Sequence, residues 1–269
     1  MTITAWSQIL ANQSFRFSME FLPPTAHAYV TATGAINYTI YFENRSNATA
    51  AAQEVIVTDP LDTNLDWSSF QFNQIGFNNV TIDVPQGLQA FNTNVSVSTD
   101  PNPVQVQASL NPQTGLVTWQ MMSIDPVTGQ LVGDPLAGFL PPNDSTGRGD
   151  GFVSFSVHPK SGVANGTHIW NQAGIVFDVN APLLTDVVTN TIDAGAPASR
   201  VNALAAVTHT TNLVVSWTGT DTNSGVAVYD VYVAVNGGPW TLWLSNTTNT
   251  SAAYSASFGN TYAFSLSSG

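Results

Sequence analysis

The sequence contains no cysteine. Disulfide staples and thiolate metal sites are therefore excluded. Charge is nearly as scarce. Asp, Glu, Lys and Arg make up 8% of the residues, against about 25% in an ordinary globular chain. The five basic residues, Arg16, Arg45, Arg148, Lys160 and Arg200, are scattered along the chain. With a net charge of -12 and no basic stripe, nucleic acid is excluded as a partner. No run of about 18 or more apolar residues occurs, so no segment reads as a membrane-spanning helix. The opening MTITAWSQIL lacks the basic and apolar regions of a signal peptide, which leads us to expect a mature product or a fragment.

What is abundant is Thr, Ser, Asn, Gln and Gly, set between short apolar alternations. A surface of this kind is polar without being charged. It suits a protein that packs against copies of itself or carries sugars. Segments rich in Val, Ile, Thr and aromatics recur with a period of two, separated by Pro, Gly, Asn and Asp clusters. INYTIYFEN (36–44), QEVIVTD (53–59), VQVQASL (104–110), GLVTWQMMSI (115–124), GFVSFSVHP (151–159) and THIWNQAGIVFD (167–178) all read as strands. Only ATAAAQE (48–54) has helical propensity, and it is too short to stand as a helix. The expected fold is all-β, with two β-sandwich domains in tandem. The small, flexible DAGAPASR (193–200) marks the boundary. We place an N-terminal strand or linker at 1–14, a first domain at 15–196 and a second at 197–269.

In the second domain, Leu213, Val215 and Trp217 fall on one strand face, and so do Tyr229, Val231, Val233 and Val235. NGG (236–238) is a hairpin turn signal. The run WTGTDTNSGVAVYDVYVAVNGGPW, followed by TYAFSL, resembles a fibronectin type III-like domain of large prokaryotic surface proteins. Residues 35–196 resemble an uncharacterised extracellular repeat domain of the same kind of protein. The markers there are YTIYFEN (38–44), VTDPLDTNLDWSSFQF (57–72) and IVFDVNAPLLTD (175–186). The resemblance implies immunoglobulin-like modules, an extracellular or cell-surface location and no catalytic chemistry. It also implies a seven-stranded second domain. Counting from Val201, six strands are present, and the run carrying Tyr262, Phe264 and Leu266 is not followed by a seventh.

An unpaired edge beside an incompletely covered core is a slot for a strand from elsewhere. We therefore expect Tyr262, Phe264 and Leu266 to form an acceptor edge. The candidate donor is the N-terminal strand Thr2, Ile3, Thr4, Ala5, Trp6, Ser7, Gln8, Ile9 and Leu10, supplied by a neighbouring copy. Head-to-tail contacts of this type build filaments when they do not close. The main functional expectation is a non-catalytic extracellular protomer. The alternative is an adhesion, spacer or carbohydrate-binding module of a large surface protein, with surface carbohydrate as its partner.

No phosphate loop, nucleophile elbow or zinc motif appears, and His27, His158, His168 and His209 have no metal-binding spacing. Weak calcium candidates are Asp59, Asp62, Asp66 and Asp221, although Asp is also a common turn residue. RGD (148–150) matches an adhesion tripeptide, a signal too short to carry weight. Of Trp240 and Trp243, at most one faces outward to stack on a sugar. Ten Asn-x-Ser/Thr triplets occur, about twice the number expected by chance. Asn37 lies in a core-like strand and is the least suitable. The candidate acceptors of N-linked glycans are Asn47, Asn143, Asn165, Asn246, Asn249, Asn12, Asn44, Asn79 and Asn94. Intact-mass measurement of the native protein checks them: glycans raise the mass above 28.5 kDa, and an unmodified mass removes all nine.

Overall fold

The computed structural model describes residues 2–8, 14–21 and 29–269, with side chains described from residue 29 onward. Among these residues there are 21 strands and no helix. The chain divides into two compact units, Met1–Ile192 and Asp193–Gly269. In chain order the first strands are β1 (Thr2–Gln8), β2 (Ser14–Phe21), β3 (Tyr29–Thr31), β4 (Ile36–Asn44) and β5 (Glu54–Pro60). There follow β6 (Leu65–Phe77), β7 (Val80–Asp83), β8 (Ala90–Val95), β9 (Val104–Leu110) and β10 (Leu116–Ser123). Next come β11 (Asp150–Pro159), β12 (His168–Asn171), β13 (Gly174–Phe177), β14 (Leu183–Leu184) and β15 (Val188–Asp193). The last six are β16 (Ala198–Val201), β17 (Asn212–Thr220), β18 (Tyr229–Val235), β19 (Thr241–Thr247), β20 (Ser251–Ser255) and β21 (Tyr262–Ser268).

Unit 1 is built from two six-stranded sheets, ordered β1-β2-β4-β11-β6-β7 and β14-β13-β5-β10-β9-β8, with a small third sheet β12-β15-β3. The alternation in the sequence decides which side chains meet. In β4, Ile36, Tyr38, Ile40 and Phe42 are buried while Asn37 and Tyr41 face out. In β11, Val153, Phe155 and Val157 are buried, and in β10 Val117, Trp119 and Met121. These rows meet in an aromatic cluster. Trp119 lies edge-on to Phe72 at 5.7 Å and tilted against Phe155 at 5.7 Å. Phe155 also stacks on Phe70 at 5.3 Å and lies 5.2 Å from Tyr38. Such contacts contribute about 0.5–1.5 kcal/mol each beyond the area they bury.

Two local outcomes differ from the alternation alone. The segment 167–178 reads as one strand but folds as two, β12 and β13, in different sheets. Thr185 holds the corner: its hydroxyl accepts from Ala173 N–H at 3.0 Å, and its own N–H donates to Ala173 O at 2.9 Å. The Ala-rich 48–54 forms turns and an isolated bridge from Ala52 to Leu140.

Unit 2 has two three-stranded sheets, β16-β17-β20 and β19-β18-β21. The expected hairpin turn joins β18 to β19, with Asn236 at φ 54° and Gly237 at φ 70°. Both values lie in the left-handed region that this turn type requires. Val215, Trp217, Tyr229 and Val231 are buried at the centre, and Trp243, Tyr254 and Phe264 pack against them.

Gly151 of β11 sits opposite Phe42 of β4 and beneath its ring. A Cβ there would lie 2.1 Å from the ring, and Phe42 is itself buried. Gly151→Ala is expected to destabilise the protein by about 1–3 kcal/mol through overpacking. Gly133→Ala, where a Cβ meets nothing within 4 Å, is expected to stay within about 0.5 kcal/mol. Urea unfolding midpoints compare the two; equal effects contradict the packing argument.

Candidate functional site

β21 is the edge strand of its sheet. One side pairs antiparallel with β18 in continuous register, from Tyr229↔Ser268 to Val235↔Tyr262. Tyr262, Phe264 and Leu266 alternate toward the core, and all three are half-buried. Phe264 lies 5.5 Å from Trp243 and 5.3 Å from Tyr254, and Tyr262 lies 5.4 Å from Tyr254. The start of the strand is anchored. The Tyr262 hydroxyl accepts from Ser257 N–H at 2.7 Å and from the Asn260 amide at 3.3 Å. A tyrosine that opens a strand and binds the backbone a few residues upstream is the corner that marks the sixth strand of immunoglobulin-like sandwiches. The end is anchored too, since Gly269 exchanges backbone hydrogen bonds with Ala227 and Val228.

β21 is therefore held in a strand geometry along its length; it ends its own sheet, and β16 of the other sheet lies close to it without being paired in that sheet. Beside it opens a groove of about 440 Å³. Leu204, Val207, Leu213, Phe258, Tyr262 and Phe264 lie along it, and none of its lining residues is charged. Val207 and Phe258 are 76% and 71% exposed, high values for apolar side chains beside a core. The candidate donor lies elsewhere. Residues 2–8 form β1, which pairs with β2 in the register Ile3↔Met19, Ala5↔Phe17 and Ser7↔Phe15. β1 is itself the edge strand of the first sheet of unit 1. Ile9 and Leu10 lie outside the described residues, as does the sequon at Asn12.

The calcium candidates are not brought together. Among the described residues no group of three or more metal-binding side chains converges. Asp62 accepts from Asn64 N–H at 2.8 Å and from Trp170 N–H at 2.9 Å. Asp66 accepts from the Ser68 hydroxyl and N–H, which hold its carboxyl below the usual range. Asp221 is lowered chiefly by the Asn223 N–H, with help from Gly225 N–H. These are turn-capping carboxylates.

Asp59 is a different case. It continues the inward row of Val55 and Val57 on β5 and is fully buried. One carboxylate oxygen accepts from the Asn171 amide at 3.0 Å, and the other has no partner. Nearby, Tyr38 donates to Asn190 at 2.7 Å. Burial pushes the Asp59 carboxyl up to about 7, against a smaller lowering by Asn171. Burial also raises the Tyr38 phenol, with Asp59 and Asp62 adding to the effect.

The sequons separate on geometry. Asn44 is 1% exposed and its amide donates to Ala50 O and Leu140 O, so it is not a glycan acceptor in the folded protein. The half-buried Asn143 organises its loop: its amide donates to Glu43 and Asp150, and its oxygen accepts from the Asp144 and Gly149 N–H groups. Asn47, Asn79, Asn94, Asn165, Asn246 and Asn249 are exposed. The RGD tripeptide is tied into the same loop: Arg148 pairs with Asp144 at 3.0 Å, and Asp150 opens β11. Trp243 of β19 packs against the core of unit 2, while Trp240, just before that strand, is exposed.

A family described as a domain of unknown function (DUF7619) matches residues 21–97 and 138–191, all within unit 1. No curated protein sequence matches the chain. Among solved structures, similarity extends to BcpA, the major pilin subunit of Bacillus cereus. Identity is 12% and the TM-score 0.43, with 95% of this chain and 59% of that one covered. The full-length major pilin SpaD of Corynebacterium diphtheriae shows 14% identity and a TM-score of 0.38, over 93% of this chain and 48% of that one. A collagen-binding domain from a Staphylococcus aureus adhesin shows 7% identity and a TM-score of 0.33, over 66% of this chain and 96% of that one. The chain thus spans about three fifths and one half of the two pilins.

The buried carboxyl makes stability depend on pH. Its folded value of about 7 lies above the ordinary 3.8, so between those limits the folded protein keeps a proton that the unfolded chain has released. Stability falls as pH rises through that window and levels off above it. Asp59→Asn replaces the carboxyl with a neutral group of the same shape. Its advantage over the parent is expected to grow by roughly 2–4 kcal/mol from pH 4 to pH 8. Urea unfolding across that range reads it; a difference that does not change with pH contradicts the assignment.

Proposed function

We propose that this chain is a non-catalytic structural protomer of an extracellular filament on the cell surface, joined head-to-tail by strand donation. The observation that carries the reading is the edge of β21, anchored at both ends and flanked by an uncharged, partly apolar groove. A strand added there forms main-chain hydrogen bonds along β21 and places alternate side chains over Phe264 and Leu266. The proposed donor is β1, with Ile9 and Leu10, of the next copy. TITAWSQIL is uncharged, matching the groove, and carries apolar residues on both strand faces, Ile3 and Ile9 on one and Trp6 and Leu10 on the other. For donation β1 leaves β2, which then becomes the edge of its own sheet. The groove and the proposed donor segment are both uncharged, so no like charges meet at their contact even though each protomer carries a net charge of -12. No helix among the described residues is long and apolar enough to cross a membrane. The exposed Asn47, Asn79, Asn94, Asn165, Asn246 and Asn249 are the proposed glycan sites, on faces left free for solvation.

The alternative, a spacer or adhesion module of a longer surface protein, has the edge of β21 covered by sequence that continues the same chain. The two differ in what residues 1–14 do. Electron microscopy of the full chain is expected to show fibres with one protomer per axial repeat. Removing residues 1–14 is expected to abolish them while leaving the circular dichroism and the cooperative unfolding of the remainder intact. Fibres that persist without residues 1–14 overturn the donor assignment, and a full chain that stays monomeric overturns the filament.

A further inference from the structure

Unit 1 carries an outward face that none of the readings above uses. In β12, Ile169 and Asn171 are buried, which turns His168 and Trp170 outward. Direct pairing with β15 sets His168 beside Thr191 and Trp170 beside Thr189 on that same face. Thr31 of the neighbouring β3 is also exposed. Trp170 is 55% exposed, an unusual outlay of apolar surface for a strand position that could hold a Thr. Its surroundings are ordered. Its backbone N–H donates to Asp62 at 2.9 Å, which fixes the strand beneath the indole. The His168 ring lies 5.9 Å from the indole at a tilt of 58°, and its Nδ1 is 3.1 Å from the Thr191 hydroxyl.

We infer that this face is a binding platform for a neutral carbohydrate, with Trp170 as its stacking surface. A pyranose ring has an apolar C–H face and a rim of hydroxyls. An exposed indole with hydroxyl and imidazole groups at its edge is complementary to both. The charge on the face selects among sugars. No Lys or Arg occurs in β3, β12 or β15, while Asp193 follows Thr189 and Thr191 on the outward row of β15 and the Asp62 carboxylate accepts from the Trp170 backbone N–H, so acidic sugars are disfavoured. A protein partner fits less well. Stable protein interfaces bury about 800 Å² per side around an apolar centre. Here a single aromatic is bordered by His and Thr. The paired backbone of β12 and the His168 ring beside the indole are in place before any ligand arrives, which limits the ordering cost of binding. The site lies wholly in unit 1 and is independent of the β21 edge.

The test uses the full chain with isotope-labelled indoles, titrated separately with cellohexaose, laminarihexaose, mannohexaose and N-acetylchitohexaose. The Trp170 Nε1–H signal is assigned from its loss in Trp170→Phe. At least one probe is expected to shift that signal, with a Kd of about 0.01–1 mM. Trp170→Ala is expected to weaken that binding at least about tenfold, Trp170→Phe less, and Trp240→Ala not at all. Trp170→Ala should lower the urea midpoint yet keep a single cooperative transition and a fully folded state without urea, which separates lost binding from lost structure. No shift of Trp170 with any of the four probes overturns the inference, as does binding that survives Trp170→Ala unweakened.

Discussion

A strand at the edge of a sheet has no protein partner for every second N–H and C=O, and in unit 2 that constraint falls on β21. Water satisfies those groups at little cost. It does not satisfy the side chains behind them. Phe264 and Leu266 pack against the core of unit 2 and are half-buried; no strand follows β21 in its own sheet, and β16 of the other sheet lies close by. Trp217, Trp243, Tyr254 and Phe264 form a chain of edge-on and tilted ring contacts that runs toward this open side. The same aromatics that hold the sandwich together thus shape the surface that a further strand would cover. Association at this edge would complete a core, which is a stronger drive than main-chain pairing alone.

Unit 1 shows what a closed version looks like. Its two six-stranded sheets enclose Trp119, Phe70, Phe72, Phe155 and Tyr38 without exposing any of them. It also carries a cost at its centre. Asp59, Asn171, Asn190 and Tyr38 form a buried polar group in which one Asp59 oxygen has no partner. A neutral Asp59 is far cheaper to bury than an ionised one, so the core is most stable where that proton stays on.

Much of this was legible in the sequence because alternation is local. Ile36 to Phe42, Val153 to Val157 and Leu213 to Trp217 declare their inward faces residue by residue, and Asn236-Gly237 declares its turn. The same rule, followed one step further, places Asp59 after Val55 and Val57, and Asn44 after Phe42, on the buried side. Both close segments that read as strands, yet Asp59 also suggests a weak calcium ligand and Asn44 a glycan acceptor, roles that belong on a surface. The partners of Asp59 and Tyr38 were not legible: Asn171 and Asn190 lie more than a hundred positions away and meet them only through the fold. The corner between Asn171 and Gly174 depends on Thr185 from the following turn. Trp170 was hidden because 167–178 reads as one continuous strand, and that reading does not tell which residues turn outward once the strand breaks.

The central claim is that a strand from a neighbouring copy completes unit 2. Cryo-electron microscopy of the native material examines it directly, through density along the free edge of β21. The account predicts an added antiparallel strand there whose side chains fit Thr2–Leu10 of the next protomer, over Phe264 and Leu266. Density that leaves the edge bare, or that traces to the same chain beyond Gly269, would contradict it.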